Sequence, residues 1–152
     1  FVAAICKSWL DSIRISLNSA RKELYLRYYR PRGYGFEDVV SSITCARDHG
    51  VFTMINYLVF PGITDQESEV DALYRLIQKT KPDLIHFKNL NIDPDFYLAA
   101  MGLPSRRGIG IGKVKKILQE EFPHLQFGYY NRTKEAFNAA RAISKRPGTG
   151  KK

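Results

Sequence analysis

The chain alternates between segments in which every second residue is apolar and segments in which apolar residues recur every three or four positions. The first pattern predicts strands at 11–18, 52–60 and 83–91, and the second predicts helices between them. Turns of a few residues that contain proline or glycine separate these segments. Strands and helices that alternate in this way are typical of a parallel sheet with right-handed crossovers.

A glycine and a capping-box spacing help to set the limits of three predicted helices. A short helix covers 22–29, and a second helix begins at Phe36 and ends at Gly50, because glycine favours a helix C-terminus. A third helix is expected to begin at Thr64, since Thr64 and Glu67 have the spacing of a capping box.

The first strand has two chemically different faces. Its apolar face suits packing against helices and carries Ile13, Ile15 and Leu17. Its other face is polar, which a barrel interior filled with apolar side chains would not accept. We therefore expect the polar face to line the concave side of a curled sheet, in contact with water or a ligand, through Ser12, Arg14, Ser16 and Asn18.

The net charge of +9 lies entirely in the last third of the chain. Residues 1–102 hold 12 basic and 12 acidic side chains, whereas residues 103–152 hold 12 basic and 3 acidic ones. This asymmetry predicts a boundary at residue 102 and a basic extension, whose partner is expected to be an anion. The extension is predicted to contain a glycine-rich connector at 103–112, a helix at 113–122, a short strand at 126–130, a small helix capped by Thr133 and a flexible tail at 145–152.

Cys6 and Cys45 are isolated from each other in the sequence. Two such thiols indicate a reducing compartment, so a cytoplasmic location without membrane contact is expected. They are also too few to form a metal or cluster site, and no metal ligands are predicted in this chain. Residues 1–9 have the pattern of the end of a helix whose beginning is missing, so we expect the chain to be a fragment.

Three segments of the chain resemble consecutive strand–helix units of one enzyme superfamily. They read Ile13-Arg-Ile-Ser-Leu-Asn-Ser19, Phe60-Pro-Gly-Ile-Thr-Asp65 and Lys88-Asn-Leu-Asn-Ile-Asp-Pro94. In this order they are similar to the fourth, fifth and sixth units of the core barrel of the radical S-adenosylmethionine (SAM) superfamily. The resemblance covers residues 1–98 and implies an α/β fold, a partial, curled parallel β-barrel that forms half of a TIM-like core.

The resemblance also implies cofactors and partners. Family members hold a [4Fe-4S] cluster on a Cys-x-x-x-Cys-x-x-Cys motif, and an electron from the cluster cleaves SAM to a 5′-deoxyadenosyl radical. That motif is absent from this sequence. The implied partners are the missing N-terminal half of the barrel and a reductant such as flavodoxin or ferredoxin. This chain alone is expected to be inactive.

The resemblance assigns part of a SAM site to this chain. Ser16 and Asn18 match family positions that contact the SAM ribose or its methionine end, and Arg14 is a candidate for a carboxylate contact. Asn56, in the middle of the next strand, is a candidate for contact with adenine or another part of SAM. The alternative for Ser16 and Asn18 is a hydrogen bond within their own turn, and for Asn56 a hydrogen bond to backbone. The alternative for Arg14 is an ion pair with a carboxylate such as Asp11 or one from the missing half.

The third strand offers a second set of candidates. His86 and Lys88 share one of its faces, and Asn89 and Asn91 share the other. The sequence does not decide which face points inward, so the pocket for SAM or substrate is assigned to Lys88, Asn89 and Asn91 together. A lone histidine is more often packed or hydrogen bonded than catalytic.

The segment Gly108-Ile-Gly-Ile-Gly-Lys113 favours a second hypothesis for the extension. It is similar to the hairpin of a helix-hairpin-helix nucleic-acid module, in which backbone N–H groups approach a phosphate. The phosphate contacts would then be Lys113, Lys115 and Lys116. Pro104 interrupts the preceding helix that this motif requires, so nucleic-acid binding is the alternative to the radical SAM function and a mobile linker is the simpler interpretation.

Overall fold

The computed structural model describes residues 2–8, 10–104 and 106–128, together with positions 135 and 138. Ten elements follow one another within the described residues, and none of the helices there is long and apolar enough to cross a membrane. The tail at 145–152 and the predicted helix after Thr133, apart from positions 135 and 138, lie outside the described residues. The elements are α1 (Val2–Lys7), β1 (Ser12–Leu17), α2 (Lys22–Tyr29), α3 (Phe36–Asp48), β2 (Phe52–Val59), α4 (Glu67–Thr80), β3 (Leu84–Asn89), α5 (Pro94–Met101), α6 (Ile111–Glu121) and β4 (Gln126–Phe127).

The four strands form one sheet in the order β1-β2-β3-β4, and each strand is parallel to its neighbour. The order matches the chain order, as expected when each crossover places the next strand beside the last. The sheet does not close into a barrel. The predicted α/β fold, part of a curled parallel barrel, is therefore confirmed.

The alternation predicted for the first strand is also confirmed. Ile15 and Leu17 pack into the main apolar core with side chains of α3 and α4, and Ile13 packs against Ala46 and Val51 in a smaller cluster. Side chains alternate along a strand, so the polar positions of β1 lie on the opposite face of the sheet. These positions are half-buried or exposed: Ser12, Arg14 and Ser16.

The start of α4 differs from the prediction. The helix begins at Glu67, and the Thr64 hydroxyl lies in the preceding turn, where it donates to the Phe60 carbonyl oxygen at 3.0 Å and accepts from the Phe60 N–H at 2.9 Å. The capping box predicted at Thr64 is therefore wrong. A threonine hydroxyl can hydrogen bond within a turn or cap a helix, and here it hydrogen bonds within the turn.

Helix α5 was not predicted, although the sequence carries its start signal. Asp93 caps it by accepting a hydrogen bond from the Phe96 N–H at 2.8 Å, and Pro94 occupies the first turn. Both features are favoured at helix N-termini. The Asp93-Pro94 pair thus begins a helix that follows the C-terminal end of β3.

The beginning of the basic extension shares the main core. Val114 and Leu118 of α6 are buried with the helices of the sheet, and Phe122 packs on Tyr74 of α4 with ring centroids 4.9 Å apart. Of the predicted strand at 126–130, Gln126–Phe127 forms β4, which pairs with β3, and positions 129–130 lie outside the described residues. The division at residue 102 stays a prediction.

Candidate functional site

The polar face of the sheet is defined here by Arg14 and Ser16 of β1, Asn56 of β2, and His86 and Lys88 of β3. The parallel register places Ser16 beside Asn56 and Asn56 beside His86, so the three side chains form a row across three strands. Arg14 lies two residues before Ser16, nearer the N-terminal end of β1, and Lys88 lies two residues after His86, nearer the C-terminal end of β3. Binding sites of parallel α/β sheets lie at the C-terminal ends of the strands. Ser16 and Lys88 lie next to those ends, whereas Asn56 and His86 lie within their strands.

The polar face is also electropositive. His86 Nδ1 lies 3.4 Å from Asn56 Oδ1, and Arg14 Nη2 lies 3.7 Å from the sulfur of Met54. Burial lowers the pKa of His86, and the positive charges of Arg14 and Lys88 lower it further. A neutral imidazole between two cations can donate or accept a hydrogen bond without adding a third positive charge.

The structure decides which side of the third strand joins this row. His86 and Lys88 lie on the polar face. Asn89 lies on the opposite face with Ile85 and Phe87, which contact the main core. Asn91 lies beyond the end of β3 and is exposed. The predicted set of Lys88, Asn89 and Asn91 is therefore not brought together on one face of the strand.

Asn18 differs from its expected place on the concave side. It follows the last residue of β1 and is only 1% exposed. Its Nδ2 donates to the Leu24 carbonyl oxygen in α2 at 3.3 Å, which is the turn hydrogen bond that the alternative predicted. Its Oδ1 is buried and has no hydrogen-bond partner among the described residues, and the same holds for the hydroxyl of Tyr97 on α5. The asparagine is thus half satisfied by its own turn.

Glu69, near the start of α4, is a buried polar residue that was not among the candidates predicted from the sequence. The side chain is fully buried, and its carboxylate accepts from the Ser19 hydroxyl at 2.6 Å, from the Ala20 N–H at 2.5 Å and from the Tyr57 hydroxyl at 2.6 Å. These bonds join α4, β2 and the chain just after β1. A signal existed, because Glu69 lies at helical spacing from Leu73 and Leu76 on the apolar side of the helix.

The protonation of this cluster follows from its burial. Burial raises the pKa of Glu69, while the hydrogen bonds from Ser19, Tyr57 and Ala20 favour the carboxylate and offset part of that rise. Burial and the nearby carboxylate raise the pKa of Tyr57, so the phenol remains a donor. Glu69 therefore acts as an acceptor that fixes the segment after β1, next to Asn18.

The glycine-rich segment packs against Asp65 in the turn before α4. The Asp65 carboxylate accepts from the Gly62 N–H at 2.5 Å and from the Gly110 N–H at 3.0 Å, and the Asp65 carbonyl oxygen accepts from the Ile109 N–H at 3.0 Å. A Cβ on Gly108 would overlap the carboxylate of Asp65. Glycine is required there for close approach, so this part of the connector is a docked segment and the simpler interpretation, a mobile linker, is wrong for residues 108–110.

The same contacts bear on the nucleic-acid alternative. Backbone N–H groups that the helix-hairpin-helix hypothesis assigns to phosphate already donate to Asp65. Lys116 lies 3.9 Å from Glu120, and Lys115 lies over the ring of Phe127 at 5.8 Å. Lys113 is exposed. Phosphate contact by these lysines stays a prediction that the geometry of the hairpin does not favour.

Comparison with known proteins adds one finding. Residues 1–76 match the family model of the Radical SAM superfamily, which is half of the 152-residue chain. The chain belongs to the radical SAM superfamily. The match includes β1, β2 and most of α4, and thus the Ser16–Asn56 pair and Glu69. A search of the curated proteins finds no match.

The described part of this radical SAM chain does not fit the cluster that the superfamily typically uses. No group of three His, Cys, Asp or Glu side chains in the described ranges is placed to hold a metal ion. Cys6 is buried against Ala46 and Val51, and burial raises the pKa of its thiol, which disfavours the thiolate that iron binds. The sequence has one other cysteine, Cys45. The residues described here therefore supply no cluster site.

The same residues do fit a polar, partly charged ligand such as SAM. The polar face offers a guanidinium, an amide, a hydroxyl and an imidazole on adjacent strands, and the buried Asn18 Oδ1 is an acceptor without a donor in the described structure. A diol and an amino-acid group require donors and acceptors of this kind.

Proposed function

We propose that this chain forms the SAM- and substrate-facing half of a radical SAM enzyme whose cluster is held by cysteines on another segment. One observation carries the proposal: Arg14, Ser16, Asn56, His86 and Lys88, from three adjacent strands, share the face opposite the helix-packed core. Family membership supplies the reaction class. When bound to a reduced cluster, SAM supplies a 5′-deoxyadenosyl radical that abstracts hydrogen from a substrate.

The residues of this chain bind and orient in this proposal. Ser16 and Asn56 offer hydrogen bonds to the ribose or adenine of SAM, and Asn18 offers its unused Oδ1 to a ligand donor. Arg14 binds a carboxylate, for which a guanidinium is well suited. Lys88 is exposed at the C-terminal end of the row, where the substrate would enter.

His86 completes the row between the cofactor side and the substrate side. Its lowered pKa keeps the imidazole neutral at pH 7, with one ring nitrogen directed at the Asn56 side chain. In this form the ring holds Asn56 in place. A reductant such as flavodoxin or ferredoxin, in the cytoplasm, would supply the electron.

The test measures SAM binding by calorimetry, without oxygen, on the full-length protein that contains this chain and its cluster segment. Asn56→Ala and Arg14→Ala should each weaken SAM binding by about 1–3 kcal/mol, roughly ten- to hundredfold in Kd, because each removes a polar contact to the ligand. Iron content should stay constant, since the described residues supply no cluster ligands.

The matched control is Arg75→Ala, which removes an exposed arginine from α4 on the helix side of the sheet. It should leave the affinity for SAM unchanged. Equal SAM affinity in the wild type, Asn56→Ala and Arg14→Ala would show that the polar face does not bind SAM.

A further inference from the structure

A groove lies on the helix side of the sheet, between the start of α2 and the facing sides of α3 and α4. Its volume is about 560 Å³, within the range of about 300–1,000 Å³ that is common for small-molecule sites. Its floor is apolar and consists of Ala20, Phe36, Val40, Ala72 and Leu76. The described residues of this chain form the floor and both walls of the groove by themselves.

The rim of the groove is charged and has an excess of cations. Four of the described lining residues are basic and two are acidic: Arg21, Lys22, Arg75, Lys79, Glu23 and Glu37. Both carboxylates have a close cationic partner, because Lys22 Nζ lies 2.6 Å from Glu37 Oε1 and Arg21 Nη2 lies 2.5 Å from Glu23 Oε1. The groove therefore has two further cations, Arg75 and Lys79, which form no ion pair within the part of the chain that the structure describes.

These two cations lie one turn apart on α4, and both line the groove. Like charges at this spacing repel each other and weaken a helix. Beside them lie the apolar side chains of Ala72 and Leu76 on the same helix and Val40 on α3. An anion between the two cations would offset their repulsion, and an apolar group attached to that anion would cover the floor.

A single negative charge fits this rim better than a double one. The hydrogen bond from Lys22 is the main cause that lowers the pKa of Glu37, and the charge of Lys79 adds to it. Lys79 is thus shared in part with Glu37, whereas the Arg75 guanidinium can hold a carboxylate through two parallel hydrogen bonds.

We infer that this groove is a second binding site, which takes an amphiphilic monocarboxylate. The carboxylate lies between Arg75 and Lys79, and the hydrocarbon chain lies on the apolar floor. The site is separate from the proposed SAM site, because the groove lies on the helix side of the sheet and Arg14, Ser16 and Asn56 lie on the opposite face.

The experiment measures decanoate binding to the full-length protein by calorimetry. The wild type should bind decanoate more tightly than butanoate, which has the charge without the long chain, and more tightly than decyltrimethylammonium, which has the chain with the opposite charge. Arg75→Ala and Lys79→Ala should each weaken decanoate binding about tenfold, because each removes a charged hydrogen-bond donor. Ser41→Trp should abolish binding, since Ser41 is an exposed lining residue and a large side chain there would fill the groove without entering the core.

Lys7→Ala is the matched control, because Lys7 is an exposed cation on α1 that does not line the groove. It should leave decanoate affinity unchanged. Equal decanoate affinity in the wild type, Arg75→Ala and Ser41→Trp would overturn the inference, and so would an equal loss in Lys7→Ala and Arg75→Ala. Tighter binding of decyl phosphate than of decanoate would overturn the assignment of a carboxylate.

The two binding sites can be tested against each other. Arg75→Ala should weaken decanoate binding and leave SAM binding unchanged, whereas Arg14→Ala should do the reverse. Loss of decanoate binding in Arg75→Ala together with unchanged SAM binding in Arg14→Ala would support the groove and contradict the proposed function. The opposite pair of results would contradict the groove alone.

Discussion

Polar side chains have different surroundings on the two sides of the sheet. On the helix side, Glu69 is fully buried, and its carboxylate accepts three hydrogen bonds, from Ser19, Ala20 and Tyr57. On the polar face, Arg14 and Lys88 are exposed, and their positive charges lower the pKa of His86. The first arrangement fixes the backbone, and the second suits a ligand that enters from outside.

This contrast separates residues by the measurement that should detect them. Substitution of a helix-side polar residue leaves buried donors unpaired, so it should lower the free energy of unfolding. Substitution on the polar face removes little that the folded chain needs and should change ligand binding instead. Stability and affinity are thus expected to respond to different residues, although Asn56 and Tyr57 are neighbours in the same strand.

The largest expected effect is on stability, from Glu69→Ala. The variant leaves the Ser19 hydroxyl, the Ala20 N–H and the Tyr57 hydroxyl without their acceptor, and each buried donor left unpaired costs about 1–3 kcal/mol. Because these costs are not additive, we expect a total loss of about 3–4 kcal/mol in urea unfolding. Glu67→Ala, on an exposed residue in the same helical turn, is the control and should change stability by less than about 0.5 kcal/mol. Equal losses in the free energy of unfolding for Glu69→Ala and Glu67→Ala would show that the buried hydrogen bonds of Glu69 do not stabilise the fold.

The second effect tests the docked glycine segment with Gly108→Ala. The added methyl group would overlap the carboxylate of Asp65, so Asp65 would have to give up its bonds to Gly62 and Gly110. We expect a loss of about 2–3 kcal/mol in the free energy of unfolding, measured by urea denaturation.

Gly112→Ala is the matched control for this segment. It lies in α6, and a Cβ there meets no atom within 4 Å. Alanine should therefore raise stability by about 0.5–1 kcal/mol through helix propensity. Neutral behaviour of Gly108→Ala would show that the segment is free to move away from Asp65.

A third, smaller effect concerns pH. The pKa of Glu69 is higher in the folded protein than in the unfolded chain, because burial disfavours its charge. The folded state therefore binds the proton more tightly, and this contribution to stability is complete below the unfolded pKa of about 4.3 and is lost as pH rises through the folded pKa. Glu69→Gln has no such proton. The stability of the wild type relative to Glu69→Gln should thus fall between pH 4 and the folded pKa, in urea midpoints measured across that range. A stability difference between the wild type and Glu69→Gln that rises with pH would show that folding lowers the pKa of Glu69.

The sequence predicted well whatever depends on local periodicity. The alternation of Ile13, Ile15 and Leu17 with polar residues was sufficient to assign both faces of β1, because a strand has a strict period of two. The predicted strand at 11–18 differs from Ser12–Leu17 only by its end residues. The parallel direction of the strands followed from the alternation of strands and helices along the chain.

Contacts between distant segments could not be predicted in this way. Glu69 lies on the apolar side of its helix, but its partner Ser19 is 50 positions away and only the fold brings them together. The role of Gly108 depends in the same way on Asp65 in another turn. Asn18 was assigned to the ligand side by extension of the strand pattern, yet the strand ends at Leu17 and the side chain turns to Leu24.

The smallest expected effect tests whether the cations of the polar face act on one another. The pKa of His86 is lowered first by burial and then by the positive charges of Arg14 and Lys88. Arg14→Ala removes one of these charges, so the pKa of His86 should rise, although it should stay lowered because burial remains the larger cause. The measurement is the titration of the His86 ring protons by NMR.

Arg75→Ala is the matched control for this titration, because Arg75 lies on α4, on the helix side of the sheet. It removes the same charge from the chain without removing a charge from the polar face, so it should leave the pKa of His86 where it is in the wild type. High salt should shrink the Arg14 effect, since charges near the surface are screened by ions. If Arg14→Ala and Arg75→Ala shift the pKa of His86 equally, the shift reflects overall charge, and Arg14 and His86 do not form one electropositive site.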